Sequence, residues 1–301
     1  MFPFFGLILL GFIASKTRLI KKTAVEGINN FVFYFALPAL IFSKISVAPV
    51  GEIFNWNYIL AYLLAATAVF VVTYQLGRKI FKSRHGEAAQ LGLTGVYSNI
   101  GFMGIPVLLA VLGNEVAIPL TLAFALDLVV IVPIILVLID AGQNESPGQR
   151  HFIRIVVRVT RNPLVLAIFT SIGFSAVGWT VPKPLGDLIG LLQTTAGPCA
   201  LFALGAALAA QHFSKSMHLA GFMCGVKLVV HPLVVWTLLS AFGLPPLWIT
   251  AGTLVVAMPI AVVAFVFSQQ YDVYAEATSA AILISTIISV ISVPLLLHLL
   301  I

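Results

Sequence analysis

Apolar residues run through this chain in long blocks, interrupted by clusters of charge, glycine and proline. A helix needs roughly 20 mostly apolar residues to cross the hydrocarbon of a bilayer, and cutting the chain at those clusters yields segments of about that size. Ten spans are predicted: Phe2 to Ala14, Ile28 to Ile45, Tyr58 to Gly77, Ala88 to Leu112, Val116 to Ile139, Pro163 to Trp179, Thr194 to Gln211, Leu219 to Phe242, Trp248 to Phe267 and Ala277 to Ile301. The first is short and the chain begins almost inside it, which predicts a truncated start or a tilted or incomplete helix. It does not read as a secretory signal, because Lys16, Arg18, Lys21 and Lys22 follow the apolar stretch and no base precedes it.

Composition removes the alternatives to a membrane protein. Of 301 residues 60% are apolar and 9% charged, against about 25% charged in ordinary soluble domains. So little charge cannot clothe a water-facing surface, and lipid must cover most of the chain. Cys199 and Cys224 lie in apolar runs with no spacing suited to a disulfide framework or to zinc. The formal net charge of +6 does not indicate nucleic acid, since the bases fall between apolar runs where membrane topology accounts for them. Thirteen of the sixteen bases lie in the connections after spans one, three, five and seven, while the even connections hold only Lys44 and Lys183. The positive-inside rule then puts the odd connections in the cytoplasm and both termini outside, in an inner or plasma membrane. In the longest connection His151, Arg154, Arg158 and Arg161 step by three and four residues, the pattern of a helix on anionic lipid or of a solvated linker helix.

The charged break after span five invites comparison of two halves, residues 1–140 and 163–301, joined by a cytoplasmic linker at 141–162. Gly11-Phe12 matches Gly173-Phe174, Pro38 matches Pro198, Ser98 matches Pro259 and Pro133 matches Pro294, all at offsets of 160 to 162 residues. An odd number of spans per unit makes the second copy enter from the opposite side, the inverted repeat of secondary transporters. Pro38, Pro133, Pro198, Pro232 and Pro294 read as packed kinks. Spans four and nine read differently. GVYSNIGFMGIP packs Gly95, Ser98, Asn99, Gly101, Gly104 and Pro106 into twelve residues, and its mate AMPIAVVAF carries Pro259 in mid-span. Interrupted spans at corresponding places in two halves point to a midplane binding site, where unwound backbone and half-helix N-termini meet an anionic group.

With INNFVFYFALPALIF (Ile28 to Phe42), SNIGFMGIP (Ser98 to Pro106), AGPCALFALG (Ala196 to Gly205), KLVVHP (Lys227 to Pro232) and MPIAVVAFVFSQQYDV (Met258 to Val273), the sequence resembles the auxin efflux carrier family over nearly its whole length. That family takes in plant auxin carriers and bacterial malonate or malate transporter-like proteins. The resemblance implies an all-α membrane protein of ten transmembrane helices, built as two inverted five-helix repeats with broken crossover helices four and nine. It also implies alternating access without ATP, an organic anion at the crossover and a homodimer. Carried over residue by residue, the crossovers fall at Ser98-Asn99 and Pro259-Ile260, so the expected substrate-binding residues are Ser98, Asn99, Ile100, Gly101, Met258, Pro259 and Ile260. The Asn99 carboxamide can donate to a carboxylate without the desolvation penalty of a fixed charge. Plant carriers have proline where this chain has Ser98, a polar residue where it has Ile260, and an acid near the start of span three that NWNYIL lacks. A small dicarboxylate such as malonate or malate therefore fits better than auxin.

Ionisable residues at membrane depth are costly, which makes function the default hypothesis for Asp127 in span five. It reads as a proton carrier, or as a carboxyl held neutral or paired within the bundle. Lys227 and His231 share a helical face in span eight. The lysine could pair with Asp127 or with a substrate carboxylate and the histidine could relay a proton, the bland reading being a snorkelling lysine and a hydrogen-bonded histidine. Asn29 and Asn30 are expected to cap span two, and Asp272 and Glu276 to solvate the turn after span nine. No HExxH, GxSxG, Walker or aspartate-rich motif occurs, and Ser98 with His231 is the sole candidate pair for intramembrane catalysis. The expected protein is no enzyme and uses no cofactor or metal. An anion channel or a membrane receptor on the same fold is the rival reading.

Overall fold

The computed structural model describes residues 2–48, 53–142, 157, 160–211 and 217–301. Among these residues the secondary structure is helical apart from one isolated bridge. Six helical runs are long and apolar enough to cross a bilayer: Lys22–Ile45, Trp56–Lys79, Asn114–Ala141, Lys183–Leu208, Met217–Ala241 and Ala275–Leu300. Shorter apolar helices over Pro3–Lys16, Ile100–Leu112, Pro163–Val177 and Pro246–Val256 fall at the predicted spans one, four, six and nine. Most of the connection carrying His151, Arg154 and Arg158 lies outside the described residues, so the expected amphipathic linker helix does too.

The chain divides into two compact units, each assembled from both halves of the sequence. The first comprises Met1–Trp56, Ile100–Ala125 and Thr160–Ala210. It contains α1 (Phe2–Lys16), α2 (Lys22–Phe31), α3 (Leu37–Ile45), α6 (Ile105–Leu112), α9 (Pro163–Val177) and α10 (Lys183–Leu208). Here α1 packs on α10 and α3 packs on both α9 and α10. A Cβ on Gly205 would sit 1.8 Å from the Ile8 carbonyl oxygen, and one on Gly11 would sit 2.0 Å from that of Phe202. Only glycine permits this approach, the small-residue packing on which membrane helices depend. The α3 to α9 contact includes Phe42 edge-on to Phe174 at 5.1 Å.

The second unit comprises Asn57–Asn99, Leu126–Val159 and Gln211–Ile301. It contains α4 (Trp56–Lys79), α5 (His85–Val96), α8 (Val132–Ala141), α11 (Met217–Gly225), α12 (His231–Ala241), α13 (Pro246–Val256), α14 (Val263–Gln270) and α15 (Ala275–Leu300). Helix α5 packs on α8, α12 on α13 and α11 on α15. Gly252 lets α13 approach Leu239 and the Tyr58 ring. Helix α7 (Ala117–Leu126) leads directly into this unit through the segment Asp127–Ile131.

Several expectations change. Span seven begins at Lys183, not Thr194, because Pro184 starts the helix and Lys183 pairs with Asp187 one turn on, at 2.8 Å; those charges depress the apolar signal without breaking the helix. Asn29 and Asn30 cap nothing. They lie inside α2, whose N-cap position is Lys21. The prolines expected to kink helices fall into two groups. Pro198 and Pro294 sit inside regular α-helix. Pro38, Pro133 and Pro232 each follow a five-residue π-turn, Val32–Ala36, Asp127–Ile131 and Val226–Val230, and so does Pro106, one of the breakers of span four, after Ile100–Gly104. Proline lacks the N–H for an i to i−4 bond and its ring crowds the carbonyl one turn back; widening the preceding turn relieves both. Asp272 is exposed in the turn before α15, and Glu276 is exposed in the first turn of α15 itself.

Candidate substrate site

Spans four and nine are both interrupted. Helix α5 ends at Val96, where Tyr97 turns to an extended conformation, and α13 ends at Val256, seven residues before α14 begins at Val263. The two extended stretches pair. Asn99 N–H donates to the Pro259 carbonyl at 2.9 Å, Ala261 N–H donates to the Tyr97 carbonyl at 3.2 Å, and Ser98 faces Ile260 in an antiparallel bridge. Backbone polar groups freed from helices inside a membrane must find partners within the protein, and this miniature ladder supplies them. Ile260 N–H completes the set by donating to Ser285 Oγ at 3.2 Å.

Breaking α13 leaves its last carbonyls without intrahelical donors and concentrates the negative end of its dipole there. Lys227 answers both. Its Nζ donates to the Val256 carbonyl at 2.6 Å and to Ser98 Oγ at 2.6 Å, and meets His231 Nδ1 at 3.1 Å. As an ammonium Lys227 has three protons and no acceptor, so in that form all three are committed and His231 Nδ1 accepts, with its own proton on Nε2. Lys227 and His231 are fully buried, and the lysine lies in the π-turn before Pro232. The snorkelling expected as its bland reading does not occur.

Asp127 opens the π-turn of span five and is also buried. Its Oδ1 accepts from the Tyr62 hydroxyl at 2.9 Å. Among the described residues Asp127 makes no ion pair with Lys227; in place of the direct salt bridge considered from the sequence it has one hydrogen bond, from the Tyr62 hydroxyl. Tyr62 stacks on Tyr58, whose ring meets Trp248 edge-on at 5.2 Å. On the other side of the crossover Gln90 Nε2 donates to the Ala264 carbonyl and to Thr278 Oγ1, tying α14 to α5 and α15.

The structure therefore gathers Ser98, Asn99, Met258, Pro259, Ile260, Lys227 and His231 into one cluster, with Asp127 in the same compact unit. Ile100 and Gly101 begin the π-turn of the other unit, where Gly101 leaves only 3.1 Å between an added Cβ and the Phe124 ring. Sequence reasoning missed Tyr62, Ser285 and Gln90. The four-residue spacing of Tyr58 and Tyr62 was a readable sign of a shared helical face; nothing local marks Ser285. Among the described residues the buried polar atoms without a partner include Asn99 Nδ2, Asp127 Oδ2 and His231 Nε2. Two donors and one acceptor are thus left unspent around the break, where such groups are costly unless something in the working cycle engages them.

Six helical runs able to cross a bilayer, together with an interrupted pair of helices holding unspent buried donors, fit a membrane protein that handles a polar solute. Residues 1–297 match the family model for the membrane transport protein family, and the chain belongs to that family, which includes the auxin efflux carriers. It is 34% identical to the "Putative malonate transporter" of Rhizobium meliloti (strain 1021) over 301 residues, covering 99% of this chain and 93% of the relative. It is 25% identical to the "Uncharacterized transporter YfdV" of Escherichia coli (strain K12) over 98% of this chain and 95% of the relative. Over 157 residues, 50% of this chain and 37% of the relative, it is 24% identical to "Probable auxin efflux carrier component 9" of Oryza sativa subsp. japonica.

Proposed function

We propose that this membrane transporter is a secondary carrier of a small organic anion, a malonate- or malate-like dicarboxylate rather than auxin, which it binds at the midplane crossover and moves by alternating access of two inverted five-helix repeats. The observation that carries the proposal is the buried, unpartnered Nδ2 of Asn99 beside the Ser98 to Ile260 bridge. A carboxamide donor binds a carboxylate while leaving it free to depart, as a carrier requires. The name of the Rhizobium meliloti relative points to the same substrate class. Each compact unit draws segments from both sequence halves, the arrangement expected of interleaved repeats. Ser98 engages Lys227 where plant carriers have proline, and Ile260 supplies no polar side chain, which together disfavour auxin.

Uptake of labelled malonate, malate and indole-acetate into proteoliposomes tests the reading. Saturable dicarboxylate uptake is expected, and Asn99→Ala should lower its rate at least about tenfold, the loss of one or two charge-assisted hydrogen bonds. Wild-type uptake no faster than empty liposomes across a broad anion panel would refute it. Counterflow separates a carrier from the channel alternative, because trans substrate accelerates exchange only where one site alternates.

A further inference from the structure

The first compact unit carries a cavity of about 330 Å³ with both apolar and polar lining residues. Leu7, Leu40 and Leu109 form an apolar part, whereas Lys44, Asn114 and Gln193 form a polar one. Lys44 closes α3 and donates from Nζ to Asn114 Oδ1 at 2.8 Å. Ser43 Oγ donates to Gln193 Oε1. These two contacts occupy the carboxamide oxygens. The Asn114 and Gln193 NH₂ groups and the remaining ammonium protons are what the polar part can still offer, so it presents donors and one full positive charge. No Asp or Glu is among the described residues that line the cavity. Lys183, the other base assigned to the outer side by the base count, is already paired with Asp187. Lys44 has no carboxylate partner among the described residues.

We infer that Lys44, Asn114 and Gln193 form a second carboxylate site, distinct from the crossover, that captures the organic anion on its way to or from Asn99. Capture is the part of the inference that rests on the carrier reading; binding at Lys44 does not. The apolar part suits the short carbon chain of such an anion, and the cavity is ample for one of three or four carbons. A cation held between neutral carboxamides raises the local concentration of anions and weakens with ionic strength, whereas neutral Asn99 does neither.

Thermal unfolding of the purified protein in detergent free of anionic lipid, titrated with malonate, reads the site directly. Malonate should still raise the midpoint of Asn99→Ala, and adding Lys44→Gln should abolish that rise. In proteoliposomes Lys44→Gln alone should raise the half-saturating malonate concentration about tenfold and flatten its salt dependence, with the rate at saturation changed less than about twofold. Gln193→Glu, which replaces a donor with a negative charge, should raise it likewise and guards against misfolding of the lysine variant. Identical malonate responses in Asn99→Ala with and without Lys44→Gln would overturn the inference, as would stabilisation by phosphatidylglycerol but not by malonate. If the wild type transports no anion while Asn99→Ala still responds to malonate through Lys44, the carrier reading fails and the binding site stands.

Discussion

Asp127 and Lys227 are both buried in the same compact unit, and the hydrogen bonds they make go to neutral groups. Lys227 spends every proton on Ser98, Val256 and His231, which makes it a clasp across the broken end of α13. Asp127 has one oxygen on Tyr62 and one without a partner. The carboxyl thus keeps one open oxygen, and the proposal that Asp127 couples transport to protons is tested at that group. Asp127→Asn should leave uptake independent of pH, whereas Tyr62→Phe, which deletes one hydrogen bond and keeps the carboxyl, should move the midpoint of the pH profile without flattening it. An unchanged profile in Asp127→Asn, measured in proteoliposomes, would remove the residue from the coupling.

At the scale of elements, four prolines each follow a π-turn, and two of those turns carry Lys227 and Asp127. The extra residue in such a turn re-aims the side chains on its N-terminal side by about 100° relative to an unbroken helix. Pro133→Ala removes the reason for the wide turn in span five. Thermal stability should hold or rise by up to about 1 kcal/mol while uptake falls, because Asp127 loses its line to Tyr62. These turns were not legible in the sequence: proline says where an α-helical hydrogen bond is missing, and tertiary packing decides whether a kink or a widened turn makes up for it. The interruption of span four was legible, since six breakers and polar residues between Gly95 and Pro106 have no economical helical form. The partner that holds Lys227 was not, because it is the main-chain oxygen of Val256, a residue whose side chain announces nothing. The start of α10 was missed for a third reason: Asp187 and Gln193 are polar enough to hide a helix that packing nevertheless completes.

Across the whole molecule, the charge asymmetry between connections predicts orientation. With Cys199 and Cys224 replaced, a cysteine at Lys82 should react with impermeant thiol reagents only after the cytoplasmic face is opened, and one at Lys183 should react in intact cells. The reverse pattern would invert the topology and place the Lys44 cavity on the inner side. Long apolar runs and the placement of bases made this much readable from the chain alone, whereas its division into units that each mix both halves is a property of folding. One contact also limits how the first unit can deform. The Ile8 and Phe202 carbonyls each nest in a glycine notch of the opposite helix, Gly205 and Gly11. Sliding α1 along α10 by about one turn would drive those oxygens into the side chains of Leu201 or Leu208 and of Leu7 or Ala14, which share the glycines' helical faces. The two rods are keyed together like a tenon in its mortise, barred from slipping lengthwise past one another.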